Sequence, residues 1–502
     1  SSAASDVYKR QGLLIAVFTF GMFLNVDAVT ITTDSSKKGT TDTSSLLATN
    51  TGTITVSNVS STDKLVAYKV LDVYYNSTSN VFTYEFTTSF KAFLASSTTY
   101  KNLTVEQYYA LTSGDITSGS TRTQSTLDKL VSAYAAYVKT HSSTNIALTT
   151  TGTNATGSVA VGAYLVIPSI TNNVFAVMVA NVIPTPSDNT WVISNATIKA
   201  KVSSASLTKY IGSEGSKDGN YSVGEEFSYI LVGTVPQFPT NATNTTYTIN
   251  DTVGTGITLS ALSTISIKYG STTLTNTNGT FKNSSGKTVA TATITGQKLT
   301  IVFNVSYIDS TTVTVQYKAK LNAGAKLGDE GNLNSATLTY ANDPYGTGTT
   351  TTAAVNVSAF TYGIEAFIYS DKDNSVKLSG VKFEVYSDSS LNTKVGEFTT
   401  DGNGRGSLAG VKAGTYYLKQ VSTAAGYTLP KDAVPVKVKI PGATAGTVTG
   451  YYRADIAAYE AGSLPFTGGS GTSLFSLIGL LVIGASAVAI IVYRNKKEEV
   501  TE

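Results

Sequence analysis

Alternation of apolar and polar residues is clearest between residues 312 and 321. Every second residue from Val313 to Leu321 is apolar, and the positions between them hold Thr, Gln and Lys. This period of two is typical of a half-buried strand in a β-sandwich. Shorter apolar runs predict further strands at 53–56, 66–70, 162–166 and 174–182. The chain is therefore expected to consist mainly of β-strands.

One segment follows a helical period instead. Between residues 125 and 141, apolar residues recur at spacings of three and four. They are Leu127, Leu130, Val131, Tyr134 and Val138. His141, the only histidine of the chain, ends this predicted helix. The helix dipole mildly favours a cation there, and no Ser and Asp pattern accompanies it, so a structural role is expected.

An apolar segment near the first residue indicates export. Lys9 and Arg10 precede an apolar run at 12–24, and small or short side chains lead up to Ala28. The alternative is a transmembrane helix, but the thirteen residues of the run span only about 20 Å, and the hydrocarbon core is roughly 30 Å thick. Residues 1–28 are therefore predicted to form a secretory signal peptide.

A second apolar segment lies near the other end of the chain. Residues 474–493 are twenty mainly apolar residues, long enough to cross a bilayer as a helix. The basic residues that follow place the tail, 494–502, in the cytoplasm. The pentapeptide just before the span is Leu464-Pro465-Phe466-Thr467-Gly468. This order of motif, span and basic tail resembles the cell-wall sorting signal of Gram-positive surface proteins.

The resemblance implies a defined reaction at Thr467. A membrane sortase would cleave the bond between Thr467 and Gly468, hold the Thr467 carboxyl as an acyl-enzyme on its cysteine, and pass it to an amine. The chain would be the substrate of that reaction. No enzymatic activity of its own is expected beyond an autocatalytic intramolecular amide bond.

Composition narrows the class of protein further. The length of 502 residues predicts about three domains. The absence of Cys and the single His exclude disulfide frameworks, thiolate zinc sites and multi-histidine metal centres. A net charge of +3 with only 14% charged residues argues against nucleic-acid binding. An all-β extracellular protein without a cofactor or bound metal is expected.

The mature part divides into three predicted domains, 29–202, 203–357 and 358–461. The Gly- and Thr-rich stretch 345–352 reads as the approach to a linker between the second and third.

The third domain carries a recognisable succession of segments. They are 377–386, the turn 400–404 and 413–418. Their order resembles the small immunoglobulin-like module named for the B region of a collagen adhesin (CnaB-type). With the sorting signal and two preceding domains, the chain resembles a sortase-assembled shaft (major) pilin. The resemblance implies three tandem immunoglobulin-like (CnaA/CnaB-type) β-sandwich domains, the first with a helical insertion, followed by a transmembrane helix.

A pilin shaft also implies an acceptor lysine for the Thr467 acyl group. In this family it lies at the end of the first domain, in a Tyr-Pro-Lys-Asn motif some ten residues after a Trp. Lys201 has that spacing from Trp191, although the Tyr, Pro and Asn are missing. Lys199, two residues earlier and on the same face, is the alternative. Both could also be solvated lysines on an edge strand.

The second domain carries the residues of an expected intramolecular bond. Lys209 shares a strand face with apolar residues, as does Asn334, so two polar groups are predicted to point into one core. The family resemblance implies a Lys–Asn isopeptide bond with a nearby carboxylic acid as catalyst, for which Asp251 is the candidate. Asn342 is the reserve acceptor. Alternatively, Lys209 reaches solvent, Asn334 bonds backbone and Asp251 caps a turn.

No such bond is expected in the third domain. The family's lysine position falls on Tyr369, its catalytic Glu on Gln420, and its Asn within 456–458. All three chemical positions are therefore replaced together. Gln420 also casts doubt on the attachment of accessory pilins.

The function implied is the repeating subunit of an adhesive pilus shaft. A pilin sortase would join copies of the chain, and a housekeeping sortase would attach the polymer to peptidoglycan; accessory pilins and host surface ligands are further partners. The alternative is a monomeric wall-anchored adhesin for host matrix or glycans. A wall-anchored hydrolase would need paired carboxylates in a cleft, and the acidic residues here are scattered.

Overall fold

The computed structural model describes residues 44–46, 50–76, 81–113, 124–187, 190–239 and 241–462. The predicted signal peptide, the sortase motif and the predicted transmembrane segment lie outside these residues. Within the described ranges, no helix is long and apolar enough to cross a membrane. Strands predominate, as predicted, and they form three successive β-rich domains.

The first domain combines strands with a group of helices. The helices are α1 (Thr88–Ser96), α2 (Val105–Ser113) and α3 (Gln124–Thr140). The strands are β1 (Ser44–Leu46), β2 (Thr51–Ser57), β3 (Lys64–Asn76), β4 (Val81–Phe86), β5 (Asn145–Thr151), β6 (Asn154–Ala160), β7 (Gly162–Ile170), β8 (Val174–Phe175), β9 (Met178–Val182), β10 (Pro184–Ser187), β11 (Thr190–Ile193), β12 (Ala196–Lys199) and β13 (Val202–Ser203).

The main sheet of this domain has the order β12-β2-β6-β5-β3-β7-β9, with β1 and β4 also on β3. One face encloses a core that includes Ile54 and Val166. The other face carries the helices, whose Phe90 and Tyr134 are buried against it. The predicted helix is α3, whereas α1 and α2 were not predicted.

The strand predicted at 174–182 is interrupted. It forms β8 and β9, because the Ala176 amide turns away and donates to the Lys201 carbonyl at 3.1 Å.

The middle domain is a two-layer sandwich. Its strands are β14 (Ser206–Ile211), β15 (Asp218–Asn220), β16 (Glu226–Thr234), β17 (Tyr247–Val253), β18 (Ile257–Leu259), β19 (Ser266–Tyr269), β20 (Thr272–Thr273), β21 (Thr275–Thr277), β22 (Thr280–Lys282), β23 (Thr288–Thr295), β24 (Lys298–Phe303), β25 (Thr312–Leu321), β26 (Asn332–Ala341), β27 (Thr349–Thr351) and β28 (Val355–Phe360). Short 3₁₀ helices occupy Leu262–Thr264 and Val305–Tyr307.

One sheet of the sandwich has the order β14-β16-β25-β19-β20, with β18 also on β25. The other has the order β15-β28-β26-β17-β24-β23-β22-β21, with β27 also on β26. The apolar positions predicted at 312–321 are the inner face of β25: they are buried and pack in the core between the sheets. The same kind of alternation on β14, β17 and β26 places polar residues of those strands in this core.

The linker prediction for 345–352 was wrong. Thr349–Thr351 forms β27 and pairs with β26, and Tyr345 is buried against the helix-side core of the first domain. Threonine favours strands, and the neighbouring edge of β26 supplies a hydrogen-bonding partner. The middle-domain sheet also runs past the predicted boundary at 357, because β28 continues to Phe360.

The third domain packs a three-stranded sheet on a four-stranded one. Its strands are β29 (Tyr362–Ser370), β30 (Lys382–Tyr386), β31 (Lys394–Thr399), β32 (Arg405–Val411), β33 (Gly414–Gln420), β34 (Val434–Val438) and β35 (Tyr451–Ala458). The sheet orders are β32-β29-β35 and β31-β30-β33-β34. The first and last strands, β29 and β35, are adjacent and parallel.

Candidate functional site

Lys209 lies in the core of the middle domain. On β14 it alternates inward together with Leu207 and Ile211, and its side chain is 0% exposed. The ammonium group therefore does not reach solvent. A lysine in this position needs a polar partner or a neutral amine.

Asp251 and Asn334 approach Lys209 from the opposite sheet. Asp251 lies on β17 and Asn334 on the neighbouring strand β26, where Val253 pairs with Asn334 and Ala336 pairs with Asp251. The two polar side chains are thus diagonal neighbours on the inner face. Asn334 is on the third strand from the end of the domain, since β27 and β28 follow β26. Both side chains are buried.

These side chains meet at the hydroxyl of Tyr317. Lys209 Nζ forms a short buried ion pair with Asp251 Oδ2. It also donates to the Tyr317 hydroxyl at 3.2 Å. Tyr317 donates to Asp251 Oδ2 at 2.6 Å, and Asn334 Nδ2 donates to the Tyr317 oxygen at 2.7 Å. The four residues form one buried hydrogen-bonded cluster.

Burial controls the protonation of this cluster. Desolvation lowers the pKa of Lys209 to about 8, although the Asp251 carboxylate opposes the shift. Desolvation also raises the pKa of Tyr317 well above its ordinary value, with the Asp251 charge as a further cause. Burial thus moves the amine toward its neutral, nucleophilic form and keeps the phenol protonated as a proton donor.

Two oxygens of the cluster are left without hydrogen bonds. Asp251 Oδ1 and Asn334 Oδ1 are buried and have no partner among the described residues. An unsatisfied buried polar atom costs about 1–3 kcal/mol.

The sequence prediction missed Tyr317. It was assigned to the apolar face of β25, and its burial bears this out. The available signal was its type, because a buried tyrosine hydroxyl usually finds a hydrogen-bonding partner. Which partner it finds depends on the opposite sheet.

The reserve acceptor, Asn342, is not part of this cluster. Its Nδ2 donates to the Thr171 carbonyl of the first domain at 2.6 Å. The structure therefore gives Asn342 a contact between domains and leaves Asn334 beside Lys209.

The two candidate acceptor lysines lie where the first and middle domains meet. Lys199 is exposed at the end of β12, and Lys201 is half-buried between β12 and β13. Both line a groove of about 1020 Å³, whose middle-domain wall includes Pro236 and Phe238. Burial lowers the pKa of Lys201, and the charge of Asp128 opposes the shift.

The third domain has a different core. Tyr369 is half-buried on the outer face of β29, so the flanking core positions are Ile368 and Ser370. Tyr369, the position predicted to correspond to the family's lysine, therefore does not point into the core. Gln420 is buried, and no lysine is among the buried residues described for this domain.

His141 and the acidic residues form no further site. The His141 ring stacks on Tyr137 with centroids 3.9 Å apart at the exposed end of α3. Among the described residues, no group of three His, Cys, Asp or Glu side chains could hold a metal ion.

Family models match two parts of the chain. Residues 366–451 match the SpaA family, described as a prealbumin-like fold domain. Residues 458–500 match the LPXTG cell wall anchor motif. The chain thus carries the signal that covalently attaches surface proteins to the cell wall.

Solved structures cover most of the chain. The T6 backbone pilin of serotype M6 Streptococcus pyogenes is similar with a TM-score of 0.62 and 18% identity, over 77% of this chain and 80% of that one. The chain has a backbone-pilin fold. The full-length major pilin SpaD of Corynebacterium diphtheriae has the same architecture, with a TM-score of 0.54 and 14% identity over 83% of this chain and 98% of that one.

The chain is also similar to a known protein in amino-acid sequence. The trypsin-resistant surface T6 protein of Streptococcus pyogenes serotype M6 is 27% identical over 241 residues. That alignment covers 45% of this chain and 44% of the relative. The chain therefore spans less than half of the relative's length.

Proposed function

We propose that this chain is the repeating structural subunit of a sortase-assembled pilus shaft. The observation that carries the proposal is the backbone-pilin fold and the LPXTG anchor match in one chain. A pilin sortase would polymerise it, and a housekeeping sortase would attach the polymer to peptidoglycan. The chain serves as substrate and building unit, not as an enzyme.

The polymerising bond would join Thr467 of one copy to a lysine of the next. The sortase thioester of Thr467 is attacked by the lysine amine, which forms an amide and releases the sortase cysteine. Lys201 is the favoured acceptor and Lys199 the alternative. The groove supports this assignment, because both lysines line a cleft large enough for a peptide, and burial favours a neutral amine at Lys201.

The test is the polymer ladder on a denaturing gel of wall extracts. Lys201→Ala should abolish the ladder and leave a single wall-attached band. Lys199→Ala tests the alternative acceptor, and Lys298→Ala, an exposed lysine on β24 of the middle domain, is the control that keeps the ladder. Single copies of the unaltered chain, with Lys199 and Lys201 both unmodified, would instead favour the monomeric adhesin.

We further propose an intramolecular amide bond between Lys209 and Asn334, with Asp251 as the acid. Support comes from their burial together and from the shared hydrogen bonds to Tyr317. The bond would join the two sheets of the middle domain. No equivalent bond is expected in the third domain.

Intact mass of the full chain, purified from a host without sortase, tests this bond. Its formation releases one ammonia, so the mass should fall by about 17 Da. Lys209→Ala and Asn334→Ala should each abolish the loss. Asn342→Ala should retain it, because that side chain contacts the first domain. Retention of the loss in Asn334→Ala would refute the assignment.

A further inference from the structure

Among the described residues, Tyr317 is the side chain that hydrogen-bonds to both reacting nitrogens of the proposed bond. Its oxygen lies 3.2 Å from Lys209 Nζ and 2.7 Å from Asn334 Nδ2. Its proton is donated to Asp251 Oδ2 at 2.6 Å. A hydroxyl has one proton and two lone pairs, so the cluster uses its full hydrogen-bonding capacity.

Water has no access to take over this role. Lys209 and Asn334 are 0% exposed, Asp251 is 1% exposed and Tyr317 is 2% exposed. Amide exchange needs a proton to leave the attacking amine and another to reach the departing nitrogen. In a buried site both transfers must use protein groups.

We propose that Tyr317 is a catalytic residue of the intramolecular reaction, carrying a proton from Lys209 Nζ to Asn334 Nδ2. This inference rests on the proposed Lys209–Asn334 bond. It gives the phenol a role distinct from the acid role proposed for Asp251.

The steps balance without any external reagent. The lone pair of neutral Lys209 Nζ attacks Asn334 Cγ, and the carbonyl pair moves onto Oδ1. The positively charged Nζ gives one proton to the Tyr317 oxygen. The original Tyr317 hydroxyl proton turns from Asp251 Oδ2 to Nδ2, whose lone pair is free once the amide conjugation is lost. The Oδ1 pair then re-forms the carbonyl, the Cγ–Nδ2 bond breaks and ammonia leaves. Tyr317 and Asp251 end in their starting protonation states.

The electrostatics of the core support this route. Desolvation favours the neutral amine of Lys209 and keeps the phenol of Tyr317 protonated. The path from Nζ through the hydroxyl to Nδ2 consists of two contacts already within hydrogen-bonding distance.

The test follows the ammonia loss with time in the full chain carrying Tyr317→Phe. Removal of a positioned proton-transfer group should slow bond formation by about 10²–10⁴-fold. The variant should therefore be isolated with unreacted protein that loses ammonia slowly. Tyr247→Phe is the matched control: it removes a buried hydroxyl from the same core, where it donates to the Thr234 carbonyl at 3.1 Å. It should react as fast as the unaltered chain.

A second comparison separates chemistry from packing. Asn334→Ala and Asn334→Ala/Tyr317→Phe both lack the bond, so their thermal unfolding reports only the structural effect of the hydroxyl. Similar unfolding of these two, with a slow reaction in Tyr317→Phe, supports the proposal. Reaction of Tyr317→Phe at the unaltered rate, or a slow reaction accompanied by loss of the fold, overturns it. No ammonia loss in the unaltered chain would refute the proposed bond itself.

Discussion

Lys209 is enclosed by two aromatic rings and a carboxylate. Its Nζ lies 5.1 Å from the ring centre of Tyr229 and 5.7 Å from that of Tyr317. The rings and Asp251 compensate the ammonium only partly, because burial still lowers the pKa of Lys209 from 10.5 to about 8. In the absence of the proposed amide, the folded domain therefore binds this proton less tightly than the unfolded chain does.

This difference predicts a pH dependence in the Asn334→Ala variant, which cannot form the bond. Between the folded and unfolded pKa values of Lys209, the unfolded chain holds a proton that the folded domain lacks, so raising the pH favours folding. The free energy of unfolding should increase by about 1.5 kcal/mol from pH 8 to 9.5. Urea denaturation across this range measures it.

Asn334→Ala/Lys209→Met is the control for that experiment. It keeps every other titratable group, so the difference between the two variants belongs to Lys209. Parallel stability curves over the same pH range would show that the Lys209 pKa is not lowered.

Strand alternation was sufficient to predict the inward direction of Lys209 and Asn334. Each sits among apolar residues of period two, and the structure buries both. The contact with Tyr317 was not predictable, because it depends on how two sheets face each other. No local pattern specifies that alignment.

At the scale of elements, the hairpin of β26 and β27 connects the middle domain to the first. The Tyr340 hydroxyl donates to the Asn172 carbonyl, and Asn342 donates to that of Thr171. Asp63 anchors the loop that contains Thr171 and Asn172, because it accepts a hydrogen bond from Thr171 Oγ1 at 2.6 Å. Tyr345, at the tip of the hairpin, is buried against the helix-side core.

Tyr345→Ala should therefore destabilise the first domain, although Tyr345 belongs to the middle domain by sequence. Loss of a buried aromatic side chain should reduce the free energy of unfolding by about 3–5 kcal/mol. Hydrogen–deuterium exchange of peptides from residues 50–76 and 124–187 follows unfolding of the first domain during denaturant titration.

Thr351→Ala, an exposed position on β27, should leave that titration unchanged. If Tyr345→Ala shifts only transitions seen by probes in the middle domain, the hairpin does not stabilise the first domain.

The same hairpin shows that local composition does not predict tertiary contacts. Gly and Thr between Tyr345 and Thr352 resemble a linker when read locally. The strand and the buried ring exist because neighbouring elements supply an open sheet edge and an apolar pocket. Such tertiary partners override local composition.

For the whole molecule, the middle and third domains are joined on two sides. On one side, Val223 donates its amide to Gly410 at 2.8 Å, and Lys412 pairs with Glu225 at 3.0 Å. On the other, Lys439 pairs with Asp329 at 2.8 Å. Contacts on two sides resist bending in either direction.

Gly450→Ala should loosen this junction. A Cβ at Gly450 would lie 2.7 Å from the amide nitrogen of Gly328, which cannot yield as a side chain could. Gly426→Ala is the control: its φ of +88° matches the +86° of Gly450, but its Cβ would meet nothing within 4 Å. Small-angle scattering should show a broader range of domain orientations for Gly450→Ala alone; identical profiles for both variants would contradict the rigid junction.

The all-β fold class was predictable from the segment patterns and is confirmed by the structure. The contacts between domains were not, since they involve single residues, such as Gly328 on a loop and Gly410 on β32. Their spacing along the sequence carries no period.

The parallel pairing of β29 and β35 determines how the third domain meets tension along a fibre. Gly363 pairs with Tyr451 at one end of the ladder, and Ser370 pairs with Ala458 at the other. A tensile force applied to the chain before β29 and after β35 acts on opposite ends of these two adjacent strands. The strands would have to slide lengthwise past each other, breaking their hydrogen bonds together rather than unzipping them one at a time.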